Sequence, residues 1–155
     1  MLTHLNENGE AVMVDVGGKE MTVRTAVAYA RITMKKETLD ALMNAGLKKG
    51  DGLAAARIAG IMGAKKTSEL IPLCHNIPVE KITVDFEKES DTALGIIVRA
   101  KCTYKTGIEM EALTGASVAA LTVYDMCKAM DRGMVVEEIK LLEKTGGSGA
   151  YHYER

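Results

Sequence analysis

Glu109 and Glu111 stand near the start of the stretch KTGIEMEALTGASVAALTVYDMCKAMDRG, and Asp125 and Lys128 stand near its end, amid small and apolar residues. Two acids, a third acid and an amine on one element are the groups that general acid–base chemistry requires. The stretch covers residues 105–133 and reads as one long helix bounded by glycine. Met110, Leu113, Ser117, Leu121 and Tyr124 recur at the three-and-four spacing of a buried face. At about 100° per residue, Glu111 and Asp125 fall within roughly 40° of one another around the axis. Fourteen residues still separate them by roughly 21 Å of helix rise, so a pocket that uses both needs something to bridge the gap. A second subunit is one candidate. Each group also has a structural reading: carboxylates in a first turn meet the positive end of the helix dipole, and Asp125 with Lys128 is an i,i+3 pair.

Elsewhere, LIPLCHNIP holds Cys74 and His75 between two prolines, in a stiff loop. A histidine so placed can shuttle protons, donate to an anion or ligate a metal. Cysteine followed by histidine does not by itself fix the geometry of an activated nucleophile. A metal centre would have to gather ligands from distant segments, because no HxxxH or CxxC pair is present. Lys48 and Lys49, Lys65 and Lys66, Lys128, and Lys144 before Gly146–Gly147 lie at the ends of elements, several of them near glycine. Lysine is a flexible point charge suited to phosphate, and glycine-rich backbone adds amide donors. Acids, a histidine and these lysines together point to a phosphorylated small molecule.

These residues must be positioned by a chain of 155 residues, 47% apolar and 26% charged, enough for one core and too short for two ordinary domains. A single domain over 1–155 is expected, with an extended arm over 1–20 and a flexible glycine-rich tail over 145–155. A net charge of -1 with one Phe, five Tyr and no Trp argues against extended nucleic-acid binding. No secretory leader pattern or membrane-length apolar run stands out, so a cytoplasmic protein without a membrane partner is expected. Cys74, Cys102 and Cys127 lack paired spacing and read as reduced thiols.

Residues 21–34 favour a strand, with Val23, Thr25, Val27 and Tyr29 in alternation, and 37–45 a short helix. Residues 52–69 predict a helix with Leu53, Ala56, Ile61 and Ala64 buried, in which Gly60 and Gly63 admit another backbone. Ile82, Val84 and Phe86 mark a strand; Ile96, Val98, Ala100 and Cys102 mark its hairpin partner; residues 136–143 alternate again after the long helix. The order β-α-β-β-α-β is the α+β, ferredoxin-like split βαβ arrangement, with the helices on one face of an antiparallel sheet. The other face needs cover from the arm, the extra helix or another subunit, which predicts a homo-oligomer.

MVDV in the arm, RIAGIMGAKKTSELIPLCH, and KTGIEMEALTGASVAALTVYDMCKAM closed by KTGGSG together resemble the cyclic pyranopterin monophosphate synthase family, the molybdenum cofactor biosynthesis protein C. The resemblance runs from about residue 3 to 149. It implies a ferredoxin-like subunit in a hexamer, a trimer of dimers, with active sites at subunit interfaces. It also implies a lyase that rearranges 3′,8-cyclo-7,8-dihydroguanosine 5′-triphosphate to cyclic pyranopterin monophosphate and releases diphosphate. Carried over by motif, the catalytic pair falls on Asp125 and Lys128 and the substrate loop on Leu73, Cys74 and His75. The GIEME positions fall on Met110 and Glu111 with Glu109 beside them, and the phosphate lysines on Lys49 and Lys144, with Lys65 and Arg24 as further positions. On this reading Asp125 and Lys128 exchange protons with the substrate, Lys49, Lys144 and His75 hold the triphosphate, and Glu111 orients the pterin. No redox cofactor or protein-bound metal is called for, and magnesium would enter only with the triphosphate. One departure is visible: the family's tail reads GGKSG, whereas here Gly147 is followed by Ser148 and Gly149, so one lysine is missing.

Overall fold

Alternation builds the sheet. A computed structural model describes residues 4–147 and 149–154. Its elements are β1 (Thr22–Thr33), α1 (Lys36–Met43), α2 (Gly52–Lys65), α3 (Thr67–Leu70), β2 (Val79–Lys88), β3 (Ala93–Tyr104), α4 (Glu109–Cys127), β4 (Val135–Thr145) and β5 (Tyr151–His152). Ala26, Ala28, Ala30 and Ile32 of β1 and Ile96, Val98, Ala100 and Cys102 of β3 point into one core, as period-two side chains on neighbouring strands must. All pairings are antiparallel, and the strand order is β2-β3-β1-β4-β5. The first four strands with α2 and α4 make the ferredoxin-like arrangement that the sequence predicts. β5 extends the β4 edge from within the tail, where Tyr151 lies opposite Lys144.

The long helix differs from its sequence reading in extent and in face. Residues 105–108 approach it as loop, and after Cys127 the chain turns, with the Cys127 carbonyl accepting from the amides of Met130 and Asp131. Buried Asp131 then accepts from the amides of Lys35 and Gly133 and from the Thr38 hydroxyl, tying the helix exit to the start of α1. The face that packs is not the expected stripe of Met110, Leu113, Ser117, Leu121 and Tyr124. Leu121 is 62% exposed, while Ala112, Ala116, Ala119, Ala120, Val123 and Cys127 are wholly buried. Small side chains win because they let α4 lie close to the sheet and to α2, and proximity buries more than side-chain size does.

The predicted helix over 52–69 also divides. Asp51 caps α2 by accepting from the Ala54 amide at 3.0 Å, and α2 stops at Lys65, where the Thr67 hydroxyl donates back to the Ala64 carbonyl. Ala56 and Ala64 are buried as expected, but Leu53 and Ile61 are only partly covered, because Gly60 and Gly63 occupy the packing face. A Cβ at Gly60 would lie 3.1 Å from the Gly115 carbonyl oxygen, and one at Gly63 would lie 2.7 Å from Val118. The close backbone approach expected of these glycines is therefore what joins α2 to α4. Gly60→Val is expected to destabilise the fold by about 2–3 kcal/mol through overpacking. Urea denaturation measures this, and an unchanged midpoint would count against the packing assigned here.

Opposite the helices, Thr25, Val27, Lys81, Thr83, Arg99 and Lys101 line an open hollow of about 210 Å³ on the sheet. The arm is held elsewhere, its Val14 carbonyl by the His75 ring and its Gly17 carbonyl by the Lys105 ammonium.

Candidate active site

Two groups of polar side chains form at the two ends of α4. At its start, Arg24 sits on β1, 8% exposed, and donates from Nε to the Tyr104 carbonyl (3.0 Å) and from Nη2 to the Lys105 carbonyl (3.3 Å). Those bonds fix the loop that delivers Glu109, Met110 and Glu111. The loop between α3 and β2 brings up Leu73, Cys74 and His75, and the six residues together line a cavity of about 150 Å³. Arg24 thus supports the loop, with its guanidinium engaged by backbone carbonyls. Because β4 ends against this region, Lys144 forms an ion pair with Glu109.

Glu111 is 3% exposed and one of its carboxylate oxygens has no hydrogen-bond partner among the described residues. Burial pushes its carboxyl up to about 7, and the neighbouring charge of Glu109 acts the same way, against the opposing pull of its own backbone amide. A carboxyl poised there can give or take a proton at neutral pH. The His75 Nε2 lies 2.6 Å from the Val14 carbonyl oxygen, which can only accept, so Nε2 carries the hydrogen and Nδ1 is the ring nitrogen left for a ligand. The Cys74 thiol is raised by burial and then by the charge of Glu111, which keeps it protonated and makes it a poor nucleophile.

At the far end, Asp125 lies between two lysines. Lys128 Nζ is 2.9 Å from its Oδ1, and Lys49 Nζ is 3.2 Å from its Oδ2 and 3.0 Å from its carbonyl oxygen. The bond to Lys128, then the bond to Lys49, holds the Asp125 carboxyl below its ordinary value, while Asp125 raises the Lys128 ammonium. At neutral pH the resting pair is therefore carboxylate and ammonium, a proton acceptor beside a proton donor. Asp125 is 54% exposed, so this charged group stands at an open surface.

The structure thus gathers Leu73, Cys74, His75, Glu109, Met110, Glu111 and Lys144 at one end of α4 and Asp125, Lys128 and Lys49 at the other. Lys65 is exposed at the end of α2 and belongs to neither group. Residues beside the first group escaped the sequence reading, His4 in the cavity itself and three more next to Glu109. Lys140, Tyr151 and Tyr153 join Glu109 and Lys144 around a hollow of about 490 Å³, and the Lys140 ammonium lies 4.4 Å from the Tyr153 ring centre. The only signal for the two tyrosines was the YHY of the tail, whose strand-forming character became visible once β5 had a partner. Among the described residues no group of three His, Cys, Asp or Glu side chains could hold a metal ion, and no helix is long and apolar enough to cross a membrane.

Residues 13–147 match the model of the MoaC family. The chain is 55% identical over 153 residues to a cyclic pyranopterin monophosphate synthase of Peptoclostridium acidaminophilum, covering 98% of this chain and 97% of that one. It is 54% identical over 152 residues to the protein of the same name from Brevibacillus brevis, covering 97% and 95%. A third protein of that name, from Thermomicrobium roseum, is 54% identical over 155 residues, covering 99% and 93%.

Proposed function

The chain belongs to the MoaC family, and from that premise we propose that it is a cyclic pyranopterin monophosphate synthase of molybdenum cofactor biosynthesis. It converts 3′,8-cyclo-7,8-dihydroguanosine 5′-triphosphate to cyclic pyranopterin monophosphate and releases diphosphate. Opening the bridged nucleoside, forming the pyran ring and closing the cyclic phosphate need proton transfers on oxygen and nitrogen, and the departing diphosphate needs positive charge beside it. The observation that carries this reading is Asp125 held between Lys128 and Lys49. Asp125 takes a proton from the substrate, Lys128 returns one, and Lys49, Lys144 and His75 hold the phosphates. Glu111 orients the pterin from its buried position. The chemistry calls for no redox group and no resident metal; magnesium accompanies the triphosphate if it takes part.

Neither group completes a pocket alone, since the Asp125 pair is open to solvent and, among the described residues, no lysine lines the Glu111 cavity itself. The active site is accordingly formed between subunits of a symmetric homo-oligomer, a hexamer built as a trimer of dimers, in the cytoplasm. Incubation of the purified protein with the cyclic dihydro-GTP nucleotide tests the activity: diphosphate and the cyclic pyranopterin should accumulate together. If neither forms, the reading fails.

A further inference from the structure

We propose that His4 is a further substrate-contacting residue, carried by the N-terminal arm into the cavity at the start of α4, where its imidazole donates a hydrogen bond to an anionic oxygen of the bound nucleotide. The inference rests on the function proposed above.

His4 lines the same cavity as His75, Glu109 and Glu111. Its position is set by a closed turn. The Val12 amide donates to the His4 carbonyl at 2.8 Å, Leu5 bridges to Ala11, and the Asn6 side-chain oxygen accepts from the amides of Asn8 and Glu10. Gly9 holds the left-handed backbone, φ 78°, that the turn requires. Beyond the turn the arm is fastened at two further points. The Val14 carbonyl accepts from His75, and the Gly17 carbonyl accepts from the Lys105 ammonium at 3.2 Å, next to the loop that leads into α4.

These anchors leave the His4 ring itself uncommitted. It makes no hydrogen bond or ion pair to another described residue, whereas Glu109 is engaged by Lys144 and His75 by Val14. A free imidazole beside two carboxylates and a second histidine gains nothing for the fold from being there. With a nucleotide in the cavity it has an acceptor within reach, and it adds a donor where the lysine count is low.

The test compares wild type, His4→Ala, His4→Gln and the control Glu7→Ala, whose side chain lies in the same turn and outside the cavity. Turnover of the cyclic dihydro-GTP nucleotide gives kcat and KM; calorimetry with GTP gives a binding constant that does not depend on turnover; thermal melting reports the fold. The expected result is a KM and a GTP Kd raised by about tenfold or more in both His4 variants, with kcat little changed and melting unaltered. Glu7→Ala should behave as wild type. Wild-type KM and Kd in the His4 variants would overturn the proposal, and so would an equal loss in Glu7→Ala, which would assign the effect to arm folding. Should wild type bind GTP in a His4-dependent way without turning over the cyclic nucleotide, the proposed activity fails while the His4 contact stands.

Discussion

Subunits carrying Asp125→Asn and subunits carrying His75→Ala should each be inactive alone and regain activity when unfolded together and reassembled. The two residues belong to groups at opposite ends of α4, and the 14 positions from Glu111 to Asp125 correspond to roughly 21 Å along the axis. Asp125→Asn keeps the shape but removes the carboxylate, leaving Lys128 and Lys49 facing one another without their shared counterion. Loss of a general base lowers turnover by about 10²- to 10⁴-fold. If each pocket takes Asp125 from one chain and His75 from its neighbour, a mixed dimer has one pocket carrying both lesions and one carrying neither. Random reassembly then gives about a quarter of wild-type activity. Native mass spectrometry would verify that mixed assemblies formed. Mixed assemblies with no restored turnover would place both groups in one chain's pocket, and normal turnover by Asp125→Asn alone would remove Asp125 from the catalytic role.

What the sequence could and could not disclose follows from the range of the interactions involved. Strands alternate locally, so Ile82, Val84 and Phe86 or Ile96, Val98 and Ala100 announced their faces, and the order of elements then constrained the sheet. Helix faces were harder. In α4 the large residue Leu121 lies outward and Ala116 and Ala119 lie inward, because Gly60 and Gly63 on a separate helix allow a contact too close for leucine. That partnership is invisible to a periodicity reading of either segment alone. The same holds at the site. The acids at the start of α4 and the Asp125–Lys128 spacing were readable along the chain, whereas the pairing of Glu109 with Lys144 depends on where β4 ends. Lys49 reaches Asp125 across 76 positions of sequence. His4, Tyr151 and Tyr153 come from the two ends of the chain, and only folding brings them beside Glu109.

Glu111→Gln should make the protein more stable at pH 8 and at the same time a poorer enzyme. In the unfolded chain this carboxyl loses its proton near its ordinary value of 4.5, whereas in the native state burial pushes it up to about 7. Between those values the native state holds a proton that the unfolded state has released. Native stability from this residue is therefore full below pH 4.5 and falls as pH rises toward and through 7. By linkage the loss is about 3 kcal/mol at pH 8. Glutamine resembles the protonated acid in shape and hydrogen-bonding capacity but has no charge to bury, so the variant should lack this part of the pH dependence. Urea unfolding at pH 4.5 and pH 8 should show the variant gaining on wild type only at the higher pH. Equal changes in both proteins would mean that Glu111 ionises as an ordinary surface carboxylate, and the buried acid would lose its place in the mechanism. A buried carboxylate oxygen left without a partner among the described residues is a standing cost to the fold. In the proposed reaction the missing donor would come from the ligand, as from the nitrogen-rich edge of a pterin.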